Sequence, residues 1–361
     1  MASVVRPRHE SIKMSLTQRP SRKHALRQWQ RTILTTLAAL AGLSAALPAS
    51  AQSWQLSSTD SFYLQQPPLS FTGIFRSQGV AFNGNEWIFS WQYGLERTDL
   101  AFNSLQRNSA INVVPSFSLS PGIPASLYSQ GLDHIGDIDV YNGIIYASLD
   151  TTKRDSALGY SYGHGTVALF NASDLSYTGK SFALQGAPTN LHHDVASWVA
   201  VDGAAGVGYG KEWQNGNTIN VYNLNDWSFS HTLTLDQSLS SIQGAKVLDG
   251  WLYMSADNST QSVYRANLSS GHVEELFQLP KQSGSNEVEG IAVRALANGG
   301  AELVVELIVD PDNSDQSLTN ANLHVDLLHY TMAPVPEPAS AALLAGGLLL
   351  LGAAARRQRR A

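Results

Sequence analysis

The sequence predicts an all-β fold in which one antiparallel unit recurs around a closed ring. Three observations carry that expectation. Helix signals are scarce between residues 52 and 333, where Val, Tyr, Trp, Thr, Ser, Asn and Gly form short apolar runs broken by turn residues. A strand–turn–strand pattern repeats along this stretch. The first strand-like segment and the last repeat each lack a partner that the other can supply. Antiparallel units of this size, repeated without helices, describe a β-propeller, whose ring leaves only short, protected edges.

The repeat is clearest in two places. Gly136 to Tyr146 reads as strand, Asn142-Gly143 turn, strand, and Gly244 to Tyr253 repeats it around Asp249-Gly250. Asn, Asp and Gly tolerate positive φ, which a tight hairpin needs. Looser copies begin at Gly79, near Ser197 and at Gly290, so the innermost strands start 57, 61, 47 and 46 residues apart. Third strands follow at Val167 to Phe170, Ile219 to Tyr222 and Ser262 to Tyr264. Polar turns then lead to outer strands such as Phe229 to Leu235 and His272 to Leu279. The final unit has strands near 301–309 and 323–331 but no fourth. Trp54 to Leu64 is expected to complete it and close the ring. This gives five blades, or six if Ile111 to Leu119 belongs to a weak extra one.

Both ends of the chain read as targeting sequence. Residues 1–31 hold eight Lys/Arg and one acidic residue, and the apolar stretch Ile33 to Leu47 follows. Ala49-Ser50-Ala51 supplies the small residues that signal peptidase requires, which predicts a signal helix within residues 1–51 and cleavage after Ala51. Met14 is an alternative start. Ser21-Arg22-Lys23 lacks the second arginine of a twin-arginine signal, so the expected route is Sec.

At the other end, Val335-Pro336-Glu337-Pro338 cannot continue a helix or central strand and presents an extended peptide. Ala339 to Ala355 is a run of 17 uncharged residues, about 26 Å long as a helix and sufficient for a thin bilayer. Arg356, Arg357, Arg359 and Arg360 would hold its end in the cytoplasm. This order of motif, span and basic cluster resembles the PEP-CTERM sorting signal of bacterial surface and exopolysaccharide-associated proteins. The resemblance covers residues 334–361. It implies processing near Pro336, Glu337 and Pro338 by an exosortase, transient anchoring in the inner membrane through residues 339–355, and delivery to the cell surface or extracellular matrix. Exopolysaccharide is the partner it suggests. It says nothing about the activity of residues 52–333.

Composition bounds that activity. The formal charge of −6 includes both basic ends, whereas residues 52–334 alone carry 11 Lys/Arg against 27 Asp/Glu, a net of −16. Such a body disfavours nucleic acid and anionic lipid. There are no cysteines, which removes disulfides, thiolate metal sites and thiol nucleophiles.

In a propeller, the residues just before each inner strand crowd one mouth of the channel. They are Gln78; Asp133, His134 and Asp137; His192, His193 and Asp194; Gln243; and Glu287 and Glu289. Such a ring could hold Ca²⁺ through oxygens or Zn²⁺ through imidazoles. Adjacent His192 and His193 point to opposite faces of an extended chain, so at most one faces the channel with Asp194. His134 is its natural partner, and a histidine beside a carboxylate is a candidate general base. The alternative role for all of these groups is to bond neighbouring blades and channel water.

Glu287 to Ala292 resembles the Glu-Gly-Ile/Leu-Ala first strand of esterase-like, phytase-like propellers, a six-residue pattern that recurs widely. The loop containing Tyr160, Tyr162 and His164, and the rings of Trp87, Trp91, Trp213 and Trp227, could stack on sugars, although aromatic residues in blade strands more often pack between blades. No nucleophile elbow, phosphate-cradling loop or His-Glu-x-x-His motif is present. The sequence therefore favours a binding or structural module for glycan, cation or protein. The alternative is a secreted metal-assisted hydrolase or lyase using His134, His192 or His193, and Asp194 around a bound cation.

Overall fold

The computed structural model describes residues 53–64, 72–112, 117–154, 162–184, 194–297, 300–313 and 322–332. One compact unit comprises Gln52–Ala333. The expected signal and transmembrane helices, the expected cleavage residues Ala49 and Ala51, and the expected sorting motif and its arginines all fall outside the described residues.

Five four-stranded antiparallel sheets make up the unit. Blade 1 is β2 (Gly79–Phe82), β3 (Trp87–Trp91), β4 (Gly94–Thr98) and β5 (Ser104–Arg107). Blade 2 is β8 (His134–Tyr141), β9 (Ile144–Thr151), β10 (Gly163–Asn171) and β11 (Tyr177–Ala183). Blade 3 is β12 (Ala200–Asp202), β13 (Val207–Gly210), β14 (Gly216–Asn223) and β15 (Phe229–Leu239). Blade 4 is β16 (Ile242–Leu248), β17 (Trp251–Ala256), β18 (Ser262–Asn267) and β19 (Val273–Gln278).

Blade 5 is composite. β20 (Ser285–Ala295), β21 (Ala301–Asp310) and β22 (His324–Met332) are joined by β1 (Trp54–Tyr63). β1 runs antiparallel to β22 from the pair Trp54↔Met332 to the pair Tyr63↔His324. The innermost strands touch in the cycle β2, β8, β12, β16, β20 and back to β2. The protein is thus a five-bladed β-propeller closed by its first strand.

The suggested sixth blade is not formed. Ile111 and Leu119 pair in a two-stranded ribbon, β6 (Ala110–Asn112) with β7 (Ser118–Ser120), between blades 1 and 2. Three-residue strands with exposed ends cannot bury a face of their own.

Alternation of side chains explains how the ring coheres. In β21, Leu303, Val305 and Leu307 join blade 4 residues such as Val263, whereas Val304 points the other way to Val80 and Phe89 of blade 1. In β3, Ile88 packs towards Ile135 and Phe170 of blade 2 while Trp87 and Phe89 pack towards blade 5. Tyr146 and Val167 meet Tyr222 and Trp227 between blades 2 and 3, and Tyr209 and Val221 meet Leu252 and Met254 between blades 3 and 4. Each blade interface therefore has its own apolar cluster, and both faces of the second strands, such as β3, β9, β17 and β21, are buried. Their sequences accordingly read as largely apolar runs rather than as clean alternation.

The turns follow the sequence. Asn142-Gly143 and Asp249-Gly250 both have positive φ at both positions, 50° and 76° in each case, as a tight hairpin requires. After the third strand, the amides of Leu175, Trp227 and Gly271 return to the carbonyls of Asn171, Asn223 and Asn267 at 2.7–2.8 Å. Leu175 and Trp227 are buried, so the first two of these turns are anchored in a blade interface.

Candidate functional site: the channel axis and its mouth

The inner strands converge so closely that the axis is closed by one side chain. Asp137 in β8 stands level with Gly79, Gly244 and Gly290. A Cβ on these glycines would lie 2.6 Å from Asp137 Cα, 2.8 Å from its Oδ2 and 2.9 Å from its Oδ1, respectively. Only glycine leaves room there for the carboxylate. Asp137 Oδ1 accepts the Val80 amide at 3.2 Å. Its Oδ2 accepts the Ala245 amide at 3.1 Å and the Lys246 ammonium at 2.5 Å. Its own amide donates to Ser197 O at 2.9 Å. One residue of blade 2 thus meets all four other blades.

Serines complete this layer in three blades. Ser90, Ser148 and Ser255 donate to Gly136 O, Asp137 O and Glu289 O, each at 2.7 Å. In blade 5 the corresponding place, opposite the bulge at Glu289 and Gly290, is taken by Glu306. Glu306 is fully buried, and neither carboxyl oxygen completes a hydrogen bond among the described residues. Burial, reinforced by Asp137, pushes its carboxyl well above the usual range; Lys246, Arg76 and the Gly290 amide only partly oppose this. Glu289 is likewise raised by burial, then by Glu287 and Glu306. Burial lifts Asp137 to about 7 and Asp139 to about 6, against the pull of Lys246.

Above this plug the mouth opens into a cavity of about 330 Å³. Gln78, His134, Gln243, Glu287 and Glu289 all line it, together with Val195 and Ser197 from the approach to β12. Every blade therefore contributes through the residues at the start of its inner strand. Tyr162 and the Trp213-Gln214 pair complete the wall from the loops between second and third strands of blades 2 and 3. In an antiparallel blade those loops emerge at the end where the first strand begins, a topological signal that places Tyr162 and Trp213 beside the mouth.

The polar groups are held in place from behind. His134 Nδ1 is 2.8 Å from Oδ1 of Asp150, a carboxylate on β9 whose side chain is 1% exposed. Burial raises the Asp150 carboxyl and His134 opposes the rise. With Nδ1 occupied by Asp150, a contact from the ring to a ligand would fall to Nε2. Tyr162, with φ of 64°, sets its ring centroid 5.2 Å from that of His134. Gln78 Nε2 donates to Glu289 Oε1 at 3.2 Å. Under the Trp213 loop, the buried Lys211 ammonium donates to Glu212 O at 3.1 Å and Gln214 O at 2.9 Å. Burial lowers its pKa to about 8.

Other expected site residues lie elsewhere. Asp137 fills the axis and does not line the mouth. Asp194 turns into blade 3, where Oδ1 accepts the Ala196 amide at 2.9 Å and Oδ2 the Tyr222 hydroxyl at 3.0 Å; burial raises it to about 6. Asp133 holds the amide and hydroxyl of Thr152. His192 and His193 lie outside the described residues. Trp87, Trp91 and Trp227 are buried between strands, which leaves Trp213 as the one of the four that faces the cavity. Among the described residues no group of three or more His, Asp or Glu has metal-holding geometry. The physical reason is visible at Asp137 and Asp194, whose oxygens are already occupied by amide, ammonium and hydroxyl donors.

No family model and no curated protein matches the chain. Among solved structures, hydrazine synthase of Kuenenia stuttgartiensis is similar at 10% identity with a TM-score of 0.34, over 64% of this chain. The chain spans 56% of the length of that protein. The propeller assignment rests on the sheet topology and not on this likeness.

Proposed function

We propose that the chain is an exported surface or matrix protein whose propeller binds a neutral, hydroxyl-rich ligand, a glycan unit, in the channel mouth. The observation that carries this reading is the wall of the cavity. Tyr162 and Trp213 offer aromatic faces, and Gln78, Gln243, Gln214, His134 and Glu289 offer donors and acceptors within one enclosure. A few placed polar groups around aromatic faces is the composition expected of a small-ligand site. No Lys or Arg lines the cavity among the described residues, and Glu287 and Glu289 add negative potential. Acidic sugars are therefore disfavoured.

Calorimetric titration of the purified full chain with oligosaccharides of glucose, galactose, mannose and N-acetylglucosamine tests it. At least one neutral series is expected to bind, oligogalacturonate is not, and Trp213→Ala is expected to weaken binding about tenfold or more, in line with roughly 1–3 kcal/mol for an aromatic stacking contact. Tight binding of oligogalacturonate alone would contradict the reading.

The His134–Asp150 pair supports a second reading, a hydrolase or lyase in which His134 serves as general base. Release of new reducing ends from the same oligosaccharides, abolished by His134→Gln, would decide for it. His192 and His193, on which a metal-assisted form would draw, lie outside the described residues.

Delivery is proposed from the terminal sequences. Sec export and removal of residues 1–51 precede exosortase action at Pro336-Glu337-Pro338, with residues 339–355 as the transient anchor. Replacing Pro336 and Glu337 with alanine is expected to leave the protein larger and retained in the inner membrane, as read by immunoblot of membrane and surface fractions. Unchanged size and location would contradict the sorting proposal.

A further inference from the structure

The mouth does not end at its own rim. A second cavity of about 400 Å³ shares Gln78, His134, Tyr162 and Glu287 with the first, so the two abut along those four side chains. Blades 1 and 5 and the β6–β7 ribbon supply most of its remaining wall. Apart from His134 and Glu287 on the shared edge, no charged side chain lines it among the described residues.

Blade 1 equips this cavity as blade 3 equips the mouth. Trp213 and Gln214 sit in the loop between β13 and β14, and Gln92 and Tyr93 form the corresponding turn between β3 and β4. Each loop brings an aromatic ring and a carboxamide to its cavity. The blade 1 turn is fixed from behind. The Ile135 amide donates to Gln92 O at 3.0 Å, and the Tyr93 ring meets that of Trp91 edge-on with centroids 5.3 Å apart. Phe117, just before β7 and 62% exposed, adds a further ring. The hydroxyls of Ser77 and Thr152 are already turned to Ile74 O and the Asp133 carboxylate. The half-buried Gln92 side chain, by contrast, makes no hydrogen bond among the described residues, and the same holds for Gln243 in the mouth. Each of these carboxamides has donors and an acceptor that water or a ligand must satisfy.

We infer that the two cavities are successive subsites for one chain of like units, so that the protein prefers an oligosaccharide of two or more units to a single sugar. Like walls take like chemistry. Each cavity combines rings with an uncommitted carboxamide; the apolar face of a sugar stacks on the first while its hydroxyls exchange hydrogen bonds with the second. The shared edge at Gln78, His134 and Tyr162 lets the chain continue from one cavity to the other, away from the axis that Asp137 closes. This inference rests on the reading of the mouth as a glycan site and adds the length of ligand it prefers and the residues that read that length.

Methyl glycosides and linear oligomers of glucose, galactose, mannose and N-acetylglucosamine, titrated calorimetrically into the full chain, test it. In a series that binds, the disaccharide or trisaccharide is expected to bind at least about tenfold more tightly than the methyl glycoside, the scale of one added aromatic stacking contact. Gln92→Ala and Phe117→Ser are each expected to lower that ratio, and together to bring it towards one, whereas Trp213→Ala weakens monomer and oligomer alike. Equal affinity of methyl glycoside and oligomers overturns the second subsite and leaves the mouth reading standing. A gain with length that the paired Gln92 and Phe117 substitutions do not reduce also overturns it, since the added units then lie elsewhere. Binding of neither monomer nor oligomer overturns both.

Discussion

At pH 8, where Asp137 is ionised beside Lys246, Asp137→Ala destabilises the propeller by about 3–5 kcal/mol, the scale for breaking a buried charge pair. The reasons are local and cumulative. The substitution leaves the buried Lys246 ammonium without its carboxylate and strips the acceptor from the Val80 and Ala245 amides. It also leaves a void framed by Gly79, Gly244 and Gly290, which cannot fill it. Asp137→Asn is expected to recover only part of the loss, because its amide must turn a donor towards Val80 N–H on one side or towards Ala245 N–H and Lys246 on the other. Adding Lys246→Met to Asp137→Asn should restore stability relative to Asp137→Asn alone by removing the orphaned ammonium. Urea unfolding of the three variants measures this. A loss under about 1 kcal/mol for Asp137→Ala would contradict the role assigned to the plug.

The second large effect is on pH dependence. Glu289 and Glu306 are raised well above the ordinary glutamate value, Asp137 to about 7, and Asp139 and Asp194 to about 6. A carboxyl whose folded pKa exceeds its unfolded one, near 4, binds its proton more tightly in the native state. Its contribution is then complete below the unfolded value and is lost as pH rises through the folded value. Stability should therefore fall from pH 5 to pH 9, through about 6–7 for the aspartates, with the two raised glutamates adding to the fall. Glu306→Gln keeps the shape and removes the ionisation, so it is expected to gain about 1–3 kcal/mol over the wild type at pH 9 and little at pH 5. Thermal unfolding against pH reads this directly. A wild-type melting temperature that rises steadily from pH 5 to 9 would contradict the arrangement of protons at the axis.

Much of the frame was legible because it repeats. The Asn142-Gly143 and Asp249-Gly250 turns set the register of two blades, and the unpaired segment at Trp54 to Leu64 could be assigned to the last blade because closure leaves no other strand unpaired. The recurrent glycine at the head of four inner strands was visible as well. Its meaning was not, because glycine is required there by the approach of other blades and by the Asp137 carboxylate, a long-range fact. The convergence of Gln78, His134, Gln243, Glu287 and Glu289 followed from topology. Asp137 and Asp194 look like their neighbours in sequence, yet a strand's alternation and its bulges decide which carboxyl faces the cavity and which faces a partner blade. Glu306 was hidden for the same reason. It occupies a serine's place in one blade of five, and only the register shows it.

The central claim is that all five blades meet a single ligand at the mouth, and hydrogen–deuterium exchange of the full chain tests it most directly. The probe is the neutral oligosaccharide that binds best in the calorimetric series. Protection is expected to appear together in the segments carrying Gln78, His134, Trp213, Gln243 and Glu287 to Glu289, and to be absent from the outer strands. Protection confined to one blade, or to the outer rim, would contradict the account.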